Sequence, residues 1–461
     1  MIDLTAPLTE ADLAGRLERF WPLSAAKIRL VEEACPPGGP SPVFTVEGRY
    51  RAKGWTEWTQ GFQYGSAILQ FDATGEEAFL DLGRRRTRDV MAPHVTHFGV
   101  HDHGFNNVST YGNLWRLARE GRFDAGEWER AFYELALKAS GAVQARRWTD
   151  LGGGEGYIHS FNGPHSLFAD TIRSLRVLAL AHRLGGVLMD EQDAKVSLLG
   201  RLLAHARTTA ATIVYYGEGR DAYDVPGRVA HEFIFNTASG SPRCPNSQQG
   251  YSPFTTWTRG LAWVMCGYAE QLEYLATRDD AELEVFGGRR AIEAMMVRAA
   301  KATCEFYIAN TPTDGVCYWD TGAPGLARLG AYLDRPADPF NAREPVDSSA
   351  AAIAAQGLLR LGRWLGGRND DDAERYRRAG LVTLRTLLDE PYLSTAPDHQ
   401  GLLLHSIYHR PNGWDHVPDG SAIPRGEASL WGDYHLREAA LYVQRVARGE
   451  PYLAFFGPDG A

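Results

Sequence analysis

Six short motifs in this sequence gather residue types able to bind and transfer protons, and each opens a helical stretch. They are Trp58-Thr59-Gln60-Gly61-Phe62, His101-Asp102-His103-Gly104-Phe105 and Phe168-Ala169-Asp170-Thr171, then Trp257-Thr258-Arg259-Gly260, Asp347-Ser348-Ser349-Ala350 and Leu430-Trp431-Gly432-Asp433-Tyr434. Aspartate and histidine move protons at accessible pH. The planar fork of Arg259 suits a carboxylate or a hydroxyl, because it donates paired hydrogen bonds. Trp257 and Trp263 offer flat faces on which the C–H face of a sugar ring can settle. A blander reading stands beside this one. Asp, Ser and Thr are ordinary helix N-caps, Asp347-Ser348-Ser349 above all, while Trp and Phe are ordinary core. Capping alone needs neither aromatics nor cations, yet each of the six motifs carries Trp, His, Asp or Arg or, in the case of Phe168-Ala169-Asp170-Thr171, both Phe and Asp.

The elements that must position these residues are helical. From Thr256 to Thr277 the apolar positions Leu261, Met265, Tyr268, Leu272 and Leu275 recur every three or four residues. Similar stretches lie near 9–34, 58–72, 76–90, 104–120, 126–146, 168–185, 191–214, 287–309, 347–366, 372–389 and 431–447. Period-two alternation is scarce, with His231–Asn236 the best short strand. Successive motifs are about 44, 68, 87, 90 and 84 residues apart, room for an inner helix, an outer helix and a return loop. Six inner and six outer helices would close a ring, the N-terminal helix within residues 1–50 completing its outer layer. The inner N-termini would then share one mouth. No linker divides the chain, so residues 1–461 are expected to form one domain. Long loops at 149–166, 215–255, 311–346 and 390–430 mark functional candidates.

Composition narrows the function classes. The 461 residues are 44% hydrophobic and 23% charged, as in a folded globular chain. A net charge of −9 without a basic run disfavours nucleic acid as a partner. No 18-residue apolar run predicts a membrane span. Met1-Ile2-Asp3-Leu4-Thr5 lacks the basic and apolar regions of a secretory signal, so a cytoplasmic protein is expected. The five cysteines are odd in number and form no CxxC pair, which argues against a disulfide framework and a zinc ribbon. Cys266 reads as inert core. The histidines at 94, 97, 101 and 103 lack the H-E-x-x-H spacing of a helical metal site, and no phosphate-binding glycine motif occurs. No metal and no cofactor are therefore expected.

The ordered motifs, with Gln249-Gly250-Tyr251, Ala262-Trp263 and Gly401-Leu402-Leu403-Leu404-His405, resemble the unsaturated glucuronyl hydrolases, glycoside hydrolase family 88. The unsaturated rhamnogalacturonyl hydrolases of family 105 are related. The resemblance runs from about Trp58 to Leu441 and implies an all-α, six-hairpin (α/α)6 barrel. It also implies release of an unsaturated uronic acid from an oligosaccharide by hydration of its C4=C5 bond. The motif match puts the acid/base role on Asp170, with Asp102 as the second carboxylate gripping sugar hydroxyls. It puts Arg259, Trp257, Trp263, His231, Gln249, His101 and Trp58 around the substrate. Ile172, Leu175, Leu178 and Ala179 share one side of the helix after Asp170, setting that aspartate at its N-terminal mouth. The helix dipole there would lower its pKa, whereas an acid needs it raised; burial and a neighbouring carboxylate would oppose the dipole.

Two departures from the family pattern bear on specificity. His103 stands where an apolar residue is usual, and Tyr157 or Phe161 stands where a pocket tryptophan is expected, Tyr157 being the chosen substrate contact. Three other readings remain open at this point: a sugar epimerase or isomerase, a polysaccharide lyase, and a non-catalytic oligosaccharide-binding protein. Oligomeric state is not read from the sequence.

Overall fold

The computed structural model describes residues 1–53 and 57–456. Twelve long helices among them form the ring. They are α1 (Ala14–Ala34), α2 (Gln60–Thr74), α3 (Glu77–Val90), α4 (103–119), α5 (Gly126–Arg146) and α6 (171–183). The second half of the ring comprises α7 (Leu198–Thr212), α8 (Thr258–Leu275), α9 (Arg289–Ala309), α10 (Ser348–Gly366), α11 (Ala373–Leu387) and α12 (Leu430–Ala447). Even-numbered helices 2, 4, 6, 8, 10 and 12 touch in order, and α12 returns to α2, closing an (α/α)6 barrel. The others cover them: α3 lies on α2, α5 and α7 on α6, α9 on α8, α11 on α10, and α1 on α2 and α12.

Burial separates the two layers. Every residue of α8 is buried, whereas α3 buries only Phe79, Leu80, Gly83 and Thr87 on one face. A helix apolar on one stripe covers the ring; one enclosed all round forms it. The run Ala350–Ala355 of α10, with no side chain beyond Cβ except Ile353, lets α11 lie close against it. Glycines set the tightest inner contacts. A Cβ on Gly104 of α4 would stand 1.9 Å from the Ser174 carbonyl oxygen of α6, so any side chain there forces these two helices apart.

The barrel axis is not wholly apolar. Arg173 meets Glu270 at 2.9 Å and Glu438 at 3.1 Å, and Arg360 meets Glu273 at 2.9 Å, all fully or almost fully buried. Such charges survive burial only as mutually satisfied groups. Among the described residues, no helix is long and apolar enough to cross a membrane.

Extended structure exceeds the sequence expectation. Glu232–Phe235 is a strand, as the 231–236 alternation predicts, and lies between Ser166–Phe168 and Pro242–Asn246 in an antiparallel sheet. The 149–166 segment, expected as a loop, contains the hairpin Trp148–Gly152 with Glu155–Ile158. Gly152, Gly153 and Gly154 turn it with φ of 87°, 64° and 85°, a conformation open to glycine at little cost. The 191–214 stretch becomes α-helical only at Leu198, after a short 3-10 turn at Glu191–Asp193, and there the Ser197 hydroxyl caps the Gly200 N–H.

Candidate active site

All six motifs stand at inner-helix N-termini, and two of their aspartates depart from capping. Asp102 precedes α4 and Asp170 precedes α6, yet neither side chain caps its helix. Asp347 does cap: its carboxylate accepts from the N–H groups of Ser349 and Ala350. The bland reading therefore holds for Asp347 and fails for the other two. Their carboxylates turn instead toward His101, whose Nε2 lies 3.1 Å from Asp170 Oδ1 and 3.9 Å from Asp102 Oδ1. Three local features fix that histidine. Its carbonyl accepts from Ser174 Oγ (2.7 Å) and Gln144 Nε2 (2.7 Å), and its ring stands edge-on to Phe168.

Burial and charge divide the proton between these groups. Burial would lower the His101 pKa, but the Asp102 and Asp170 carboxylates outweigh it and raise it. Burial raises Asp102, against the opposing pull of His101. Burial also pushes Asp170 upward, but His101, His231 and Arg259 together hold it below the usual carboxylate range. The expectation that burial and a second carboxylate would raise Asp170 is thus corrected for the free site. The His101 ring beside it outweighs burial, and the raised carboxyl is that of Asp102.

These three residues stand in the wall of a cavity of about 200 Å³ with Trp58, Gln249, Arg259 and Trp263. Trp58 stacks on Trp431 with centroids 5.1 Å apart, and Trp263 leans on Phe105 at 4.8 Å. Arg259 is sandwiched between the rings of Trp257 (4.5 Å) and Trp431 (4.7 Å). Its Nη2 donates to Tyr408 O (2.6 Å) and Gln249 Oε1 (3.1 Å), while Nε faces Asp347 at 3.7 Å. Much of the fork anticipated for a ligand is therefore committed to the protein.

Three expected contacts do not line the cavity. Trp257 lies beneath Arg259 and edge-on to His231 at 4.8 Å. His231 Nδ1 accepts from Gln248 N (2.9 Å), and burial, opposed by Asp170, brings the ring down to about 3, so it stays neutral. Both lie behind the cavity wall. Tyr157 is fully buried, pairs with Thr149 across the hairpin, and donates to Pro164 O at 2.6 Å. Hairpin pleating turns it inward against Phe235. Phe161, the other aromatic of that segment, lines the cavity, 38% exposed and stacked by His101. His103 is spent on Ser140 Oγ (2.8 Å) and the His97 carbonyl (3.0 Å).

Sequence reasoning missed Tyr408, His409, Asn412 and Trp414, all in the cavity wall. Only the length of the 390–430 loop and its cluster of aromatic and polar residues pointed there.

No sequence-family model matches the chain. It is 27% identical over 404 residues to an unsaturated glucuronyl hydrolase of Bacillus sp. (strain GL1), spanning 86% of this chain and 89% of that one. It is 24% identical over 444 residues to an unsaturated chondroitin disaccharide hydrolase of Streptococcus pyogenes serotype M1, spanning 94% and 92%. The crystal structure of the Bacillus sp. GL1 unsaturated glucuronyl hydrolase superposes with a TM-score of 0.70 at 22% identity, covering 97% of this chain and all of that one. Over nearly its whole length the chain is similar to the unsaturated glucuronyl hydrolases. It is a glycoside hydrolase, and two aspartates that face one histidine stand at the mouth of its barrel.

Proposed function

We propose that the enzyme releases a C4=C5 unsaturated uronic acid from the non-reducing end of lyase-generated oligosaccharides by hydrating the double bond. The observation that carries this reading is the Asp102–His101–Asp170 group in the wall of a cavity near 200 Å³. That volume is below the usual range for drug-sized ligands and suits a single sugar ring, hence attack at a chain end.

Asp170 in its acid form gives its proton to C4. The same group, now a carboxylate, takes a proton from the water that bonds to C5, and so is regenerated. The C5 hydroxyl makes a hemiketal that opens to a ketone, leaving C1 a hemiacetal that expels the remaining sugar as an alcohol. No protein nucleophile attacks C1, unlike the usual two-carboxylate route. The free site holds Asp170 low, and the substrate resolves this. Its carboxylate brings a like charge and its ring displaces water, both of which raise a carboxyl pKa. Asp102, on the other side of His101, grips sugar hydroxyls. Trp58 and Trp263 bear on the ring faces and Gln249 on a hydroxyl. His231 and Trp257 back the site. The reading extends to residues 1–461 as one catalytic unit with α1 completing the outer ring. Five free cysteines support a reducing, cytoplasmic compartment.

The test is loss of the ultraviolet absorbance of the conjugated C4=C5 uronate across a panel of lyase-derived disaccharides. Decay with at least one member is expected; folded protein that leaves every member intact overturns the reading.

His101→Gln gives a pH signature. His101 pulls both carboxyl pKa values down, so its removal lets both rise. A step needing the acid form is lost as pH climbs through that pKa, and the alkaline limb of kcat/KM is expected to move to higher pH. Lost positioning should also lower kcat by about 10²-fold. An alkaline limb that stays put removes His101 from proton control.

A further inference from the structure

The 407–409 segment has no regular secondary structure, yet four of its backbone polar groups are taken by charged side chains. The Ile407 N–H donates to Asp347 Oδ1 (3.3 Å), the Tyr408 N–H to Asp415 Oδ1 (2.5 Å) and the His409 N–H to Asp415 Oδ2 (3.0 Å). The Tyr408 carbonyl accepts from Arg259 Nη2. Hydrogen bonds to ionised partners are roughly twice as strong as neutral ones, so this is a firm anchorage for irregular backbone.

Asp415 pins both ends of the 408–415 loop. Its carboxylate ties residues 408 and 409 to its own position, closing a turn in which Gly413 takes a φ of 62°. Within that loop the Asn412 N–H donates to His409 Nδ1 (3.3 Å), and the Trp414 ring lies against His409 (4.7 Å) and Tyr408 (5.3 Å). Lys53 Nζ sits 4.4 Å above the Trp414 ring.

Exposure grades the cavity wall from floor to rim. His101, Asp102, Arg259, Tyr408 and His409 are buried; Trp414 is half-buried and Asn412 exposed. With the unsaturated ring on the floor beside Asp170, the next sugar along the oligosaccharide meets the rim. We propose that Asp415 is a positioning residue for the leaving-side sugar, holding Trp414 and Asn412 where that sugar docks. The proposal rests on the hydrolase reading above. Neither Asp415 carboxylate oxygen touches the aspartate pair, so its effect is on how the leaving side is held.

Without the carboxylate the loop must be ordered at the moment of binding, and ordering even a few residues costs affinity. Asp415→Ala is expected to raise KM for the best disaccharide about tenfold or more. Its kcat should stay within about threefold of the wild-type value, since the reacting groups are intact. Asp415→Asn, which keeps one acceptor oxygen, should fall between. Trp414→Ala should raise KM similarly, and the Trp414→Ala/Asp415→Ala double variant should add little, because both act through one contact.

The experiment is steady-state absorbance kinetics on wild type and these variants, with thermal unfolding as the check on folding. If Asp415→Ala does not fold, Asp415→Asn and Trp414→Ala supply the same comparison. A fall in kcat with unchanged KM, fully additive losses in the double variant, or no effect of either substitution overturns the proposal. Absence of turnover by wild type on every disaccharide overturns the hydrolase reading itself, and this proposal with it.

Discussion

Asp170→Asn is expected to abolish turnover, lowering kcat by about 10³-fold or more, while leaving substrate binding close to wild type. The amide matches the carboxylate in size and keeps an oxygen for the 3.1 Å contact with His101 Nε2. What it loses is the exchangeable proton, on which both halves of the hydration depend. A group that first gives a proton to C4 and then takes one from water cannot be replaced by an amide at either stage. Binding should survive because the aromatic walls at Trp58 and Trp263 and the amide of Gln249 do not involve Asp170. Two measurements are therefore paired: absorbance decay for kcat, and quenching of tryptophan fluorescence for affinity, since Trp58, Trp263 and Trp414 all line the cavity. Lost decay with retained quenching is the expected result. A variant that keeps turning over transfers the proton role elsewhere, and one that no longer binds makes Asp170 a ligand for the sugar instead.

The sequence spoke clearly about whatever depends on periodicity. The inner helices carry long apolar runs because they are enclosed on every side, and the outer ones keep a single stripe, as Phe79, Leu80, Gly83 and Thr87 do in α3. The ring and the positions of its six motifs follow from that. Less was legible where orientation decides. Trp257 and Trp263 lie six residues apart around one helix start, yet Trp263 faces the cavity and Trp257 lies under Arg259. Three glycines disguised the hairpin at 148–158, so Tyr157 was expected at the pocket when pleating turns it into the core. The loop bearing Tyr408 and Trp414 was legible only as a loop. Beside Asp415 within it, its conformation is set by Arg259 and Asp347, about 150 and 60 residues upstream, and no local pattern encodes such distant anchorage. Apolar periodicity was equally silent about Arg173, Arg360, Glu270 and Glu438, which fill the barrel axis as ion pairs.

Asp102→Asn is expected to cost about 10²-fold in kcat/KM, less than the loss at Asp170, and to divide that cost between KM and kcat. The reason lies in what the amide keeps. The amide keeps the size of the carboxylate and an acceptor oxygen, although burial raises the Asp102 carboxyl that it replaces. An amide can still donate to a sugar hydroxyl, which protects part of KM. It cannot oppose His101 as a negative partner, so the ring loses one of the two carboxylates that raise its pKa. That weakens the hold of His101 on the proton it shares with Asp170 and lowers kcat. Comparing the two single variants on one disaccharide decides the assignment that the electrostatics of the free site leave in tension. Asp170 carries the lowered pKa, yet the proton donor needs a proton at working pH; substrate binding is what reconciles the two. If Asp102→Asn proves the more damaging variant, that reconciliation is wrong, and the raised carboxyl of Asp102 is itself the acid that protonates C4. The double variant separates one shared machine from two independent contributions. Partners in a single proton path should lose little more together than the worse of them alone, whereas independent groups would multiply their losses.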